Sequence, residues 1–199
     1  MTEKRTISRV EPDTMALRAL AHPQRMRMLG LLRIEGPATA TSLAARLGLN
    51  SGATSYHLRQ LARHGFIEED EARGNARDRW WRAAHESTTF LAKDNTDEDA
   101  VDAGIAFAQA ALNTQIEQMQ RALARHVELA PEWRKASTIS DFNIPLSAAQ
   151  AEALVEKLHA VLWDAMESAP PLGETYETGV EPVTIILHAF PRPPESGGA

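Results

Sequence analysis

The sequence predicts a mainly α-helical fold with a small β component (α+β): a helical first half, then one long helix, then a small α/β C-terminal region. Three observations carry that expectation. Helix caps and stops recur at short intervals through residues 13–64. One apolar stripe runs unbroken from Val101 to Leu123. Stretches with strand character are confined to residues 66–83, 137–146 and 183–190.

Taken in order, residues 1–12 are polar and expected to be a disordered N-terminus. Asp13 can cap a short helix through Ala21, and His22-Pro23 breaks it, with Pro23 suited to the first turn of the next. That second helix runs to about Ile34, with Met28, Leu31 and Leu32 inward, and Gly36-Pro37 closes it. Thr39 caps a third, short helix from Ala40 to Leu47, whose inner residues are Leu43, Ala44 and Leu47; Gly48 suits the position just beyond its end. Asn50 caps a fourth helix from Ser51 to His64, ended by Gly65. Residues 66–71 and 77–83 read as two strands around the turn Arg73-Gly74-Asn75-Ala76. Asn95 and Glu98 form a capping-box-like pair that opens the long helix, about 97–128, with Pro131 marking its end. Residues 137–146 carry Ile139, Phe142, Ile144 and Leu146 and read as a strand. Ser147 and Gln150 cap a helix to about Ser168, with Leu154, Leu158, Val161 and Leu162 inward. Val183 to Phe190 (VTIILHAF) is the strongest strand signal in the chain, apolar on both faces. The Pro/Gly/Ser-rich tail 191–199 is expected to be disordered.

The order helix, helix, short helix, tight turn, helix, hairpin over residues 13–83 is that of a winged helix-turn-helix. The fourth helix divides as a recognition helix must. Gly52, Ser55, Tyr56, Arg59 and Arg63 fall within about 60° of one direction around the axis, while Ala53, Thr54, His57, Leu58 and Leu61 fall on the opposite side. The inward face packs on the preceding helices, and the outward face is small, polar or basic, as entry into a major groove requires. Ser51, Gly52 and Ser55 keep the leading end slim enough for close approach. A plain amphipathic surface helix would show the same division; the short helix, turn and hairpin around it favour the reader.

The segments LAHPQRMRMLGLL, SLAARLGLNSGATSYHLRQLARHGFIEED and RDRWWRAA resemble the ArsR-type winged-helix transcriptional regulators, over about residues 13–85. The second half loosely resembles a C-terminal extension of some actinobacterial-type relatives: a long helix, a PEWR-like segment, a further helix and a final V-x-I-x-L-x-A-F-P stretch. The resemblance implies dimeric binding to a palindromic operator and repression of transcription. It also places Ser51, Ser55, Tyr56 and Arg59 at base- and phosphate-reading positions.

Two departures from that family matter. Its metal sensors often carry cysteines on the third helix, and this chain has no cysteine. Others use Asp, His and Glu on the dimer helix, and the stretch from Asp97 to Arg125 has no histidine. No metal and no cofactor are expected, and any inducer is expected to be a non-metal small molecule. His57 and His64 are too far apart along their helix to chelate together; His57 reads as a packed histidine and His64 as a cap. The wing is the second departure. Arg73, Arg77, Arg79 and Arg82 share the hairpin with Glu68, Glu69, Asp70, Glu71 and Asp78, so cross-strand ion pairs can absorb much of its basic charge. Arg73 and Arg77 remain as phosphate contacts, with Asn75 for the minor-groove edge; a self-neutralised solvated hairpin is the alternative. Of Trp80 and Trp81, which alternate across a strand, one is expected in the core and one at the base of the wing.

Charge divides the chain in two. Residues 1–90 hold 14 Lys/Arg against 10 Asp/Glu, and residues 91–199 hold 7 against 17, so the net −6 joins a weakly basic half to a strongly acidic one. The expected organisation is a DNA-binding domain over 13–90 and a dimerisation and effector region over 95–190. The stripe Val101, Ile105, Ala108, Leu112, Ile116, Met119 and Leu123 is expected to form a two-fold homodimer interface. Phe107, Met119, Trp133, Phe142, Trp163 and Met166 could line an apolar effector cavity or fill an ordinary core. No secretory signal and no run of about 18 apolar residues is present, so a cytoplasmic protein is expected. No Gly-rich phosphate loop, HExxH or GxSxG stands out, and an enzyme is not expected. The reading is a sequence-specific regulator that binds double-stranded DNA; the alternative is a protein-interaction module on a winged-helix scaffold.

Overall fold

The computed structural model describes residues 4–74, 78–88 and 97–192. Its first half is a winged helix-turn-helix. Helix α1 (Thr14–Leu20) starts where the Asp13 carboxylate accepts a hydrogen bond from the Ala16 amide at 2.8 Å. Helix α2 (Pro23–Ile34) opens on His22, whose Nδ1 accepts from the Gln24 amide at 3.1 Å, with Pro23 in the first turn. Helix α3 (Ala40–Leu47) has a reciprocal capping box between Thr39 and Ser42 and ends on Gly48 at φ +66°, a left-handed conformation that favours glycine. Helix α4 (Ser51–Arg63) is capped by Asn50, whose side-chain oxygen accepts from the Ala53 amide at 2.7 Å.

The wing is a three-stranded sheet in the order β2 (Ala38–Thr39), β4 (Trp80–Ala83), β3 (Ile67–Glu69), antiparallel throughout. Ile67 lies opposite Ala83, and Glu68 opposite Arg82. The strands are shorter than the sequence suggested, and β2 was not anticipated, since two residues leave no measurable alternation. Trp81 is buried and Trp80 half-buried, dividing the pair between core and wing base. The core gathers Leu20, Met28, Leu29, Leu32, Leu43, Leu58, Leu61, Phe66, Ile67 and Trp81 from the four helices, β3, β4 and the turn before β3. Leu31, expected inward, is half-buried beside it.

Residues 4–12 depart from expectation. They are ordered against the rest of the chain. Ile7 is buried, and β1 (Arg9–Val10) pairs in parallel with β5 (Ser87–Thr88). Arg5 forms an ion pair with Glu86 at 2.6 Å. A polar composition hid one buried isoleucine and a set of long-range charge partners.

Helix α5 (Glu98–Ala124) begins at Asp97, whose carboxylate accepts from the Asp99 amide; Asn95, the expected cap, lies outside the described residues. A 3-10 turn (His126–Glu128) ends the helical run, and α6 (Pro131–Ala136), absent from the sequence reading, follows. Helix α5 packs on α1 and α2 through a face of small residues, with Ala103, Gly104 and Ala110 buried and Phe107 against the core. Helix α7 (Ala148–Ser168) carries the expected Ser147–Gln150 capping box. Its last turn meets the N-terminal lead: the Arg9 guanidinium lies 4.3 Å from the Trp163 ring centroid, Lys4 pairs with Asp164, and the Arg5 side chain donates to the Ala169 carbonyl at 2.8 Å. Beyond it, Gly173 sits so close to Gly36 that a Cβ on it would come within 2.6 Å of the Gly36 Cα.

Residues 137–146 and 183–190 do not form strands, contrary to their sequence signal. No backbone hydrogen bond joins residues 138–146 or 181–191 to another described residue. A strand exists only with a neighbouring strand to bond, and the described residues supply none. Leu158 and Val161 of α7, expected inward, are exposed.

Candidate nucleic-acid interface

Helix α4 is held from behind. Thr54, Leu58 and Leu61 are fully buried, and the Thr54 hydroxyl donates to the Asn50 carbonyl at 3.0 Å, fixing the first turn to the cap. With that face anchored, the 3.6-residue period turns Ser51, Gly52, Tyr56, Arg59 and Arg63 to the exposed side, with Ser55 half-exposed at its edge. All six expected recognition residues therefore share one face of one helix. Among the described residues neither Arg59 nor Arg63 has an ion-pair partner, so both guanidiniums keep their donors for a ligand.

The wing behaves differently. Arg82 pairs with Glu68 at 2.8 Å across the strands, and Arg79 with Glu69 at 3.2 Å. Arg73 lies 3.6 Å from Asp70 with its side chain largely exposed, a loose contact that a phosphate could replace. Asn75 and Arg77 lie outside the described residues.

One feature of the helix-turn-helix escaped the sequence. The His57 ring stands 4.5 Å from the His22 ring, and Tyr56 meets His57 edge-on at 5.5 Å. The pair backs Tyr56 on the exposed face, joining the α2 cap to α4. Burial lowers the His57 pKa below the usual 6.5, and His22 and Arg25 lower it further. Burial and Arg25 lower that of His22. The His57 Nδ1 is buried without a hydrogen-bond partner. His22-Pro23 read only as a helix break, because side chains from two elements meet only in the fold. His64 is the C-cap residue of α4.

The long-helix stripe is placed on the far side from the reader's core. Val101, Ile105, Ala108, Leu112, Ile116, Met119 and Leu123 are all exposed. None of Phe107, Met119, Trp133, Phe142, Trp163 and Met166 is fully buried, and Phe107 packs against the core of the first half. Among the described residues no three His, Asp or Glu side chains are grouped to hold a metal ion, and no helix is long and apolar enough to cross a membrane.

Residues 20–70 match a helix-turn-helix domain family. That span covers α2, α3, α4 and β3, the part of the chain that builds the exposed face just described. A comparison with curated proteins finds no match. Among solved structures, the chain is similar to the homodimeric winged helix-turn-helix DNA-binding domain of Mb0332 from Mycobacterium bovis, titled a possible ArsR-family transcriptional regulator, at 23% identity over 51% of this chain and 76% of that one, TM-score 0.34. It is also similar to reduced HlyU from Vibrio cholerae, at 21% identity over 46% of this chain and 80% of that one, TM-score 0.30. RV1404 from Mycobacterium tuberculosis is similar at 19% identity over 74% of this chain and 80% of that one, TM-score 0.30.

Proposed function

We propose that the chain is a sequence-specific regulator of transcription that binds double-stranded DNA as a homodimer, an ArsR-type repressor answering to a non-metal effector. The observation that carries the reading is the outward face of α4: Ser51, Gly52, Ser55, Tyr56, Arg59 and Arg63 on one side of a helix whose other side is locked in the core, with two arginines that no acid neutralises. A slim leading end and a basic trailing end suit base-edge contact followed by phosphate contact in a major groove. Arg73, Arg77 and Asn75 at the wing are proposed as backbone and minor-groove contacts. The stripe on α5 is proposed as the two-fold interface, because two half-sites read together multiply affinity and specificity.

The acidic partners of Arg79 and Arg82 support a second reading, a protein-interaction module that keeps the scaffold without DNA binding. Selection of bound fragments from genomic DNA by the purified protein, followed by duplex titration at several salt concentrations, separates the two. The regulator gives a recurrent palindromic site and an affinity that falls steeply with salt. An interaction module enriches no sequence and shows no salt-dependent duplex affinity. A thermal-shift screen of apolar and cationic small molecules then tests for the effector.

A further inference from the structure

The two stretches that should be strands and are not also expose large apolar side chains. Ile139 is 90% exposed, Phe142 83%, Phe190 75%, and Val183 and Ile185 66% each. Their backbones are unpaired among the described residues. An eight-residue run that is apolar on both faces is stable in water only when both faces and both edges are covered. Helix α7 adds exposed Leu158 and Val161 to the same half.

The surface of the whole chain makes the same point quantitatively. The accessible area is 14473 Å² for 21.9 kDa. A compact monomer of that mass exposes about 9,300 Å². The chain therefore exposes more surface than a compact monomer of its mass. An obligate homodimer buries about 1,000–2,500 Å² on each protomer, so a second copy can cover a large part of that excess. The position of the arm indicates where that copy sits. His188 shares a 2.9 Å hydrogen bond with Gln115, which places the 183–190 stretch beside Ile116 of the α5 stripe. The 183–190 arm therefore adjoins the stripe.

We propose that residues 137–146 and 183–190 are interface arms: they dock on a second copy of this chain, alongside its α5 stripe, and gain there the strand pairing they lack alone. The occupant is a second copy because the 183–190 arm adjoins the stripe through which dimerisation is proposed, so it extends that interface. The inference rests on the homodimer reading and adds a claim to it: the dimer is clasped by the arms as well as closed by α5.

Hydrogen exchange read by mass spectrometry on the full-length wild-type protein tests it, with light scattering on the same sample. The expected result is a dimer at micromolar concentration in which amides of 138–146 and 183–190 exchange roughly tenfold or more slowly than free chain. That protection should vanish when dilution or Ile105→Glu dissociates the dimer. A dimer whose arms exchange as free chain overturns the arm proposal and leaves the homodimer standing. Protection that survives in the monomer also overturns it, since the contacts would then lie within the protomer. A monomer at micromolar concentration overturns both.

Discussion

Replacing Ile105 by alanine isolates the α5 stripe from the protomer fold. Ile105 is 63% exposed and belongs to no core contact, whereas Ala103 and Gly104 beside it are buried against the first half. The substitution removes three carbons beyond Cβ. At about 0.8 kcal/mol for each buried carbon, scaled by the 63% that an interface would newly cover, the loss is about 1.5 kcal/mol per protomer. Two-fold symmetry doubles it to about 3 kcal/mol, a weakening of the dimer by roughly 150-fold in Kd. The slight gain in helix propensity from isoleucine to alanine is present in monomer and dimer alike and cancels. Sedimentation equilibrium across a dilution series measures the constant. The unfolding midpoint of the dissociated protomer should be unchanged, whereas Leu58→Ala, at a fully buried position, should cost about 2–5 kcal/mol of fold stability without touching the stripe. A dimer constant within about threefold of wild type refutes the reasoning, because a side chain covered by a partner cannot lose its outer carbons without cost.

Further outcomes follow from the reader and its supports. Arg59→Ala should weaken operator binding by about 1–3 kcal/mol if the guanidinium reads a base; gel-shift titration with the selected site measures it, and unchanged affinity counts against the recognition face. Arg73→Ala should weaken all duplexes alike and reduce the salt slope by about 1, while Arg82→Ala, already paired with Glu68, should do much less in the same titrations. His22 and His57 have pKa values below the usual 6.5, so below that pH the unfolded chain takes up more protons than the folded one. Stability should therefore fall as pH drops through 6.5 toward the depressed folded values, and denaturant melts of wild type against the His22→Asn, His57→Gln pair should show a flatter profile in the variant. Gly173→Ala should destabilise the seam with the first half. It combines a φ of +81° with a Cβ at 2.6 Å from backbone, and a drop in melting temperature by scanning calorimetry is the expected result.

The sequence was most legible where structure is local. Asp13, Thr39, Asn50 and Ser147 cap the helices they were expected to cap, because a capping bond spans two or three residues and needs no tertiary partner. The division of α4 followed from periodicity alone, and so did the presence of an unbroken stripe on α5. Cross-strand pairing in the wing was legible too, since Glu68 and Arg82 stand at opposed positions of one hairpin.

What the sequence determined by itself, then, is where helices start and stop, which faces are apolar, and how charge divides between the halves. Only the tertiary structure decided what each face meets. It ordered the polar N-terminal lead through Ile7 and Arg5, brought His22 against His57, and chose the small-residue face of α5 for the first half, leaving the large apolar stripe outside. It also left 137–146 and 183–190 without strand partners among the described residues. The physical reason is the range of the interaction: caps and periodicity act within a turn or two of chain, while burial and strand pairing require a second surface, and a sequence names one surface at a time.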